Sequence, residues 1–218
     1  MKIETGEENL SNPNAYSAIG IYYIDVSMTG ANGKVYGEAW STGGIPSHNI
    51  KIDLCKNTTS VFPTEIVDSE TTSKLGGIMN LTTVVGNTIN TANWQVNLSG
   101  TISGKRFNYS TYAFAYNKKA VRYPQYTDVE SGKEMRFPTL GLKVVDKEQR
   151  VRWTDTERKA FKTEYEKRYN NGKSMDWTGI EIHHIDPREY GGTNNFNNLI
   201  PLPKEFHRKQ VNSWWKNY

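Results

Sequence analysis

The chain has very little cysteine and no long apolar run. Cys55 is the single cysteine, which excludes an intrachain disulfide framework and Cys-x-x-Cys zinc sites. No apolar stretch approaches the roughly 20 residues needed to cross a bilayer, so we expect no membrane span. The first thirty residues are acidic and lack an apolar core segment, so we expect no signal peptide in this form. The chain would then be cytoplasmic, or secreted as part of a longer polypeptide.

Positive charge is scarce in the first half of the chain and abundant in the second. Residues 1–117 contain 7 Lys and Arg against 9 Asp and Glu, a net charge of −2, whereas residues 118–218 contain 20 against 14, a net charge of +6. Basic surfaces attract polyanions such as nucleic acid. The length also suits a module of about 100 residues followed by a smaller one. We therefore expect any nucleic-acid partner to bind the second half.

The first module, residues 1–117, is predicted to be all-β. Short segments rich in Val, Ile, Thr, Tyr and Trp alternate with polar turns, which favours an immunoglobulin-like β-sandwich over a barrel. The turn Ser103-Gly104 predicts a hairpin between the last two segments. No carboxylate cluster or Gly-rich phosphate loop is visible here, so we expect a binding, delivery or packing role with an unidentified ligand. The predicted strands are 18–28, 34–41, 49–56, 78–85, 93–102 and 105–116.

A linker is predicted at residues 118–141, and the second module at residues 142–218. The linker contains Tyr123-Pro124 and Phe137-Pro138 but is too aromatic to be wholly disordered, so we expect it to lie against a domain. Thr154 and Glu157 have the spacing of a capping box, which predicts a helix that ends at 170–172, Asn-Asn-Gly. The fold class expected for the whole chain is therefore α+β.

Three of the four histidines, His183, His184 and His207, lie within 25 positions of one another. His183 and His184 end a stretch that alternates apolar and polar residues, as a half-buried strand does. A Gly- and Asn-rich loop follows these two histidines. A second apolar run, 198–202, and a helix from about residue 204 complete the segment. Histidine binds metals and exchanges protons near neutral pH, so this cluster indicates metal-assisted hydrolysis.

The spacing of these residues resembles that of HNH endonucleases, which have a ββα-metal site. Asn198 follows His184 by 14 positions and precedes His207 by nine, and the similarity covers about residues 177–218. The resemblance implies that His183 and His207 bind one divalent metal ion and that His184 is the general base. It also implies that the Asn198 side chain holds the loop by backbone hydrogen bonds.

One position departs from the family pattern. Nuclease colicins have a further metal-binding His one helical turn beyond the helix ligand, and the chain has Val211 there. A shell of two histidines is more open, so Mg²⁺ and Mn²⁺ are at least as suitable as Zn²⁺.

By this resemblance the chain is expected to hydrolyse DNA. Its biological role has three interpretations. An HNH domain on the C-terminal side of an unrelated module is typical of bacterial polymorphic toxins and bacteriocins. A toxin of this kind would require an immunity protein. The alternatives are a phage or mobile-element nicking endonuclease, and a β-sandwich binding protein with an inactive HNH fold. Four basic side chains either contact substrate phosphates or form a solvated face: Arg188, Lys204, Arg208 and Lys209.

Overall fold

The computed structural model describes residues 15–19 and 22–218, with side chains from residue 23 onward. Among these residues β-strand is more abundant than helix, and the sheets are antiparallel and unclosed, consistent with the α+β class. The described residues form two compact units, one that extends to residue 122 and includes 217–218, and another of residues 123–216. Expectations about the first 14 residues, and residues 20–21 of the first predicted strand, lie outside the described residues.

The first unit contains two antiparallel sheets. One has the strand order β1-β2-β3-β6, and the other has the order β5-β4-β7-β8, with β9 also paired to β7. The strands are β1 (Ala15–Ile19), β2 (Tyr22–Ala31), β3 (Lys34–Ser41), β4 (Gly44–Asn57), β5 (Glu65–Ile78), β6 (Thr82–Asn87), β7 (Ala92–Ile102), β8 (Lys105–Ser110) and β9 (Phe114–Tyr116).

The core of this unit lies between the two sheets. Strand β3 buries every second residue, as expected for a strand with one face in a core. Gly37 of β3 faces β7 so closely that a Cβ built on it would lie 2.6 Å from Val96 Cγ2. The sheets therefore approach each other tightly at this point, and burial of apolar surface between them stabilises the unit.

The predicted hairpin between β7 and β8 is confirmed. Ser103 and Gly104 both have positive φ, 49° and 73°, as a two-residue turn of this handedness requires. Strand β5 was not predicted, because its residues are almost all exposed and show no apolar alternation.

The second unit contains an antiparallel pair of strands and two helical segments. Strand β10 (Ile180–His184) pairs with β11 (Leu199–Pro203), and His183 lies opposite Ile200. Helix α1 (Asp155–Tyr169) begins with the predicted capping box at Thr154. After β11 the chain continues as α2 (Lys204–Phe206), a π-helical turn (His207–Val211) and α3 (Asn212–Trp215). Three 3₁₀ turns lie at Lys147–Gln149, Arg188–Tyr190 and Phe196–Asn198.

Helix α1 packs on the strand pair through an aromatic cluster. Phe161 and Tyr165 of α1 are buried with Leu199 of β11, and Trp177 and Phe196 pack around them. Helix α1 therefore packs against the strand pair that carries His183 and His184.

The segment predicted as a linker contributes to the second unit. Residues 123–141 belong to that unit. The Lys133 ammonium donates to the Leu199 carbonyl over 3.1 Å, and Arg136 forms an ion pair of 2.7 Å with Asp186. These contacts tie residues 123–141 to the strand pair and to the loop between its strands. Within the described part of the chain, no helix is both long and apolar enough to cross a membrane.

Candidate functional site

The strand pair and the π-helical turn bring His183 and His207 together. Nδ1 of His183 lies 3.1 Å from Nε2 of His207. The other nitrogen of His207, Nδ1, lies 2.8 Å from the Glu181 carboxylate. A carboxylate accepts the proton of that nitrogen, so when the ring is neutral Nε2 of His207 presents a lone pair toward His183.

This pair of nitrogens fits a divalent metal ion. Two nitrogens that each lie about 2.1 Å from one ion are about 3.0–3.4 Å apart at tetrahedral or octahedral angles. The observed separation of 3.1 Å falls in that range. A carboxylate that accepts from the far nitrogen of a histidine is also the usual outer partner of a metal ligand. Among the described residues, however, no three His, Cys, Asp or Glu side chains are grouped to hold a metal.

Glu181 is held in place by Arg208. The Arg208 Nε donates to the carboxylate of Glu181 over 2.9 Å. This hydrogen bond is the main reason that the pKa of Glu181 is lowered, and His207 contributes in the same direction. Arg208 therefore orients the partner of a candidate ligand, a role that the sequence analysis did not predict.

His183 and His184 are both buried, with 5% and 8% of their surface exposed. Burial holds the pKa of His183 well below its ordinary value, and His207 and His184 act in the same direction. Burial also lowers the pKa of His184. Nε2 of His183 is buried without a hydrogen-bond partner within the described structure. Both rings are therefore neutral at neutral pH, as a metal ligand and a general base must be.

The two histidines have different neighbours. His183 faces His207, whereas Nε2 of His184 lies 2.9 Å from Oδ1 of Asn194. The edge of Trp153 also contacts the His184 ring, with centroids 4.6 Å apart. Adjacent strand residues point to opposite sides of a strand, and this geometry separates the surroundings of the two rings.

Asn198 holds the loop between β10 and β11. Its Oδ1 accepts from the Asp186 backbone N–H over 2.9 Å, and its Nδ2 donates to the carbonyls of Asp186 and Thr193 over 3.0 and 2.8 Å. Arg136 donates to the same Oδ1 over 3.1 Å. These are the backbone hydrogen bonds expected of Asn198. The loop that follows His184 is therefore fixed at both its ends.

All three clustered histidines line a cleft of about 590 Å³ in the second unit. Arg188 is the one predicted phosphate-binding residue among the described residues that line it. The Arg188 guanidinium donates to the Val151 carbonyl over 3.0 Å, which directs the side chain. The cleft is also lined by two basic residues and an aromatic residue that were not predicted from the sequence: Arg150, Lys216 and Trp153.

The other predicted phosphate-binding residues lie outside the lining of this cleft. Lys209 is exposed and forms an ion pair of 2.7 Å with Glu205. The Lys204 side chain is exposed at the start of α2. Arg208 pairs with Glu181 as described. The structure thus brings Arg188 to the histidines and leaves Lys204 and Lys209 on the helix surface.

No protein-family model, curated protein or solved structure matches the chain.

Proposed function

We propose that this chain is a metal-dependent endonuclease of HNH type that hydrolyses DNA phosphodiester bonds. The observation that carries the proposal is the pair of imidazole nitrogens 3.1 Å apart, backed by Glu181 and adjacent to a second buried histidine. An antiparallel strand pair followed by a helical segment supports a ββα-metal fold for this unit.

In the proposed reaction His183 and His207 would hold one divalent ion, Mg²⁺, Mn²⁺ or Zn²⁺, with Nδ1 of His183 and Nε2 of His207 as the candidate ligand atoms. When bound, the ion would stabilise the negative charge that develops on the phosphate. His184 takes a proton from the attacking water, whose oxygen bonds to phosphorus as the bond to the leaving oxygen breaks. The leaving oxygen takes a proton from solvent. Arg188, from the same cleft, attracts the phosphate by its charge.

For the first unit we propose an immunoglobulin-like β-sandwich with a binding or delivery role. Strand β3 pairs with β6 in one sheet, and β4 pairs with β7 in the other sheet. These pairings between strands that are not consecutive in the sequence support this assignment. A nuclease behind such a module suits a bacterial toxin or bacteriocin that an immunity protein neutralises, and this context is proposed by analogy.

The test is cleavage of supercoiled plasmid with Mg²⁺, Mn²⁺ or Zn²⁺, with and without EDTA. We expect metal-dependent cleavage that EDTA abolishes. His184→Ala should lower the rate by about 10²–10⁴ because a positioned base contributes that much. His183→Ala and His207→Ala should lose metal binding as well.

Calorimetric metal titration separates these roles, and His48→Ala is the matched control because His48 lies in the first unit. The control should bind metal and cleave DNA like the unaltered chain. Absence of cleavage with every metal would contradict the proposed function. A His184→Ala variant that bound metal as poorly as His183→Ala would contradict the assignment of roles.

A further inference from the structure

The side chain of Asn194 lies between the His184 ring and the backbone of Arg152. Its Nδ2 donates to the Arg152 carbonyl over 2.8 Å, and its Oδ1 lies 2.9 Å from Nε2 of His184. A backbone carbonyl can only accept a hydrogen bond, so the amide nitrogen must be the atom that faces it. The orientation of the Asn194 amide is therefore determined, and its oxygen faces the histidine.

This orientation decides which nitrogen of His184 carries the proton. An amide oxygen also only accepts, so Nε2 of His184 must be an N–H donor. A neutral imidazole has one N–H, which leaves the lone pair on Nδ1. We propose that Asn194 is a positioning residue that fixes His184 in the tautomer with the proton on Nε2 and the basic lone pair on Nδ1.

The position of Asn194 is itself constrained by the loop. The carbonyl of its neighbour Thr193 accepts from Asn198 Nδ2 over 2.8 Å. A Cβ built on Gly192 would lie only 1.7 Å from the Asp186 carbonyl oxygen, so the loop passes directly against Asp186, two residues after the end of β10. These two contacts fix the position of Asn194 relative to strand β10, and therefore relative to His184.

The tautomer has a consequence for the reaction. If His184 is the base, the proton leaves the water oxygen and bonds to Nδ1, while the Nε2–H stays on the ring. The ring is then a cation with two N–H groups, and the Asn194 oxygen accepts from one of them throughout. The tautomer assignment itself stands on hydrogen-bond geometry alone, but this catalytic consequence rests on the proposed nuclease function.

The tautomer can be measured without any activity. Histidine labelled with ¹⁵N in the full chain gives ring shifts that distinguish Nδ1–H from Nε2–H, and His184→Ala identifies the relevant signals. We expect the Nε2–H tautomer to predominate at His184 in the metal-free protein. Asn194→Ala should populate both tautomers, whereas Asn195→Ala, an exposed neighbour in the same loop, should leave the spectrum of His184 unchanged.

Asn194→Asp provides a second variant that keeps an acceptor at the same place. It should keep the proton on Nε2 of His184, in the neutral ring or in the imidazolium that a carboxylate favours, and it keeps the test decisive if Asn194→Ala does not fold. An Nδ1–H tautomer in the unaltered chain would overturn the proposal, as would an Asn194→Ala spectrum identical to it.

Kinetics then test the catalytic consequence. For plasmid cleavage we expect Asn194→Ala to lower kcat by about 10–100-fold, a part of the 10²–10⁴-fold that a positioned base contributes, with KM and metal affinity unchanged. The control Asn195→Ala should cleave normally. An unchanged kcat for Asn194→Ala in an active protein would overturn the positioning role. A chain that cleaves nothing but shows the expected tautomers would refute the nuclease function and leave the tautomer assignment supported.

Discussion

Glu181 is the residue that links strand β10 to the histidine of the π-helical turn. It contacts Nδ1 of His207 and is held by Arg208. The contact with His207 was not predicted, although residues two apart in a strand share a face and the position of Glu181 two before His183 places both on one side of β10. By contrast, no spacing rule connects Asn194 or Arg150 to the histidines, because their contacts depend on how the loop and the preceding segment fold.

Replacing Glu181 should weaken metal binding without removing a ligand. Glu181→Gln keeps the shape but not the charge, and we expect metal affinity to fall by about 10–100-fold. Isothermal calorimetry with Mn²⁺ or Zn²⁺ measures this change. Glu205→Gln is the control, because Glu205 is exposed and pairs with Lys209 on the helix surface. Equal affinities for both variants would remove Glu181 from the candidate metal site.

The buried histidines should make stability depend on pH. The folded-state pKa of His183 and of His184 is below the ordinary value, mainly because of burial. The unfolded chain therefore binds more protons as the pH falls below about 6.5, and stability present above that pH is progressively lost. The slope should reach about 1.4 kcal/mol per pH unit for each histidine. Urea unfolding of the metal-free chain between pH 7.5 and 5 measures it, and His183→Asn should flatten the dependence. A slope unaffected by that change would contradict the role of His183.

At the scale of elements, Asn198 connects the ends of the loop between β10 and β11. Asn198→Ala would leave the Asp186 N–H and the carbonyls of Asp186 and Thr193 without these partners. An unsatisfied buried group costs about 1–3 kcal/mol, and because these three groups are only partly buried we expect a total loss of about 2–4 kcal/mol. The exposed neighbour Asn197 gives the control Asn197→Ala, which should change stability by less than about 0.5 kcal/mol. Urea unfolding followed by tryptophan fluorescence compares the two, and equal losses would contradict the prediction.

Elements with a strong local signal were predictable from the sequence, and the others were not. Strand β3 has the predicted bounds, and α1 begins at its capping box, because alternation and capping are local properties. Strand β5 pairs with β4 at the edge of its sheet. Its polar, exposed residues resemble a loop, and only the pairing partner makes it a strand. The π-helical turn at His207 was likewise not predicted, since it depends on packing rather than on propensity.

At the scale of the whole molecule, the proposed binding of DNA should depend on the excess positive charge. If the three basic residues that line the cleft, Arg150, Arg188 and Lys216, each neutralise one phosphate, log K should fall with log salt at a slope of about −2.7. Arg188→Ala should flatten that slope by about 0.9. The control is Lys105→Ala in the first unit, which should leave it unchanged. Salt titrations of DNA duplex binding without divalent metal measure the slope for the unaltered full chain and for each of the two variants. A slope near zero would contradict phosphate binding in the cleft.

The edge contact between Trp153 and His184 gives the site an optical property. The indole and imidazole centroids are 4.6 Å apart, close enough for a protonated imidazole to quench the excited indole. Emission from Trp153 should therefore dim when His184 gains a proton and brighten when it loses one. The difference between the emission of the unaltered chain and that of a Trp153→Phe variant would thus follow the protonation of His184 in real time, without an added dye.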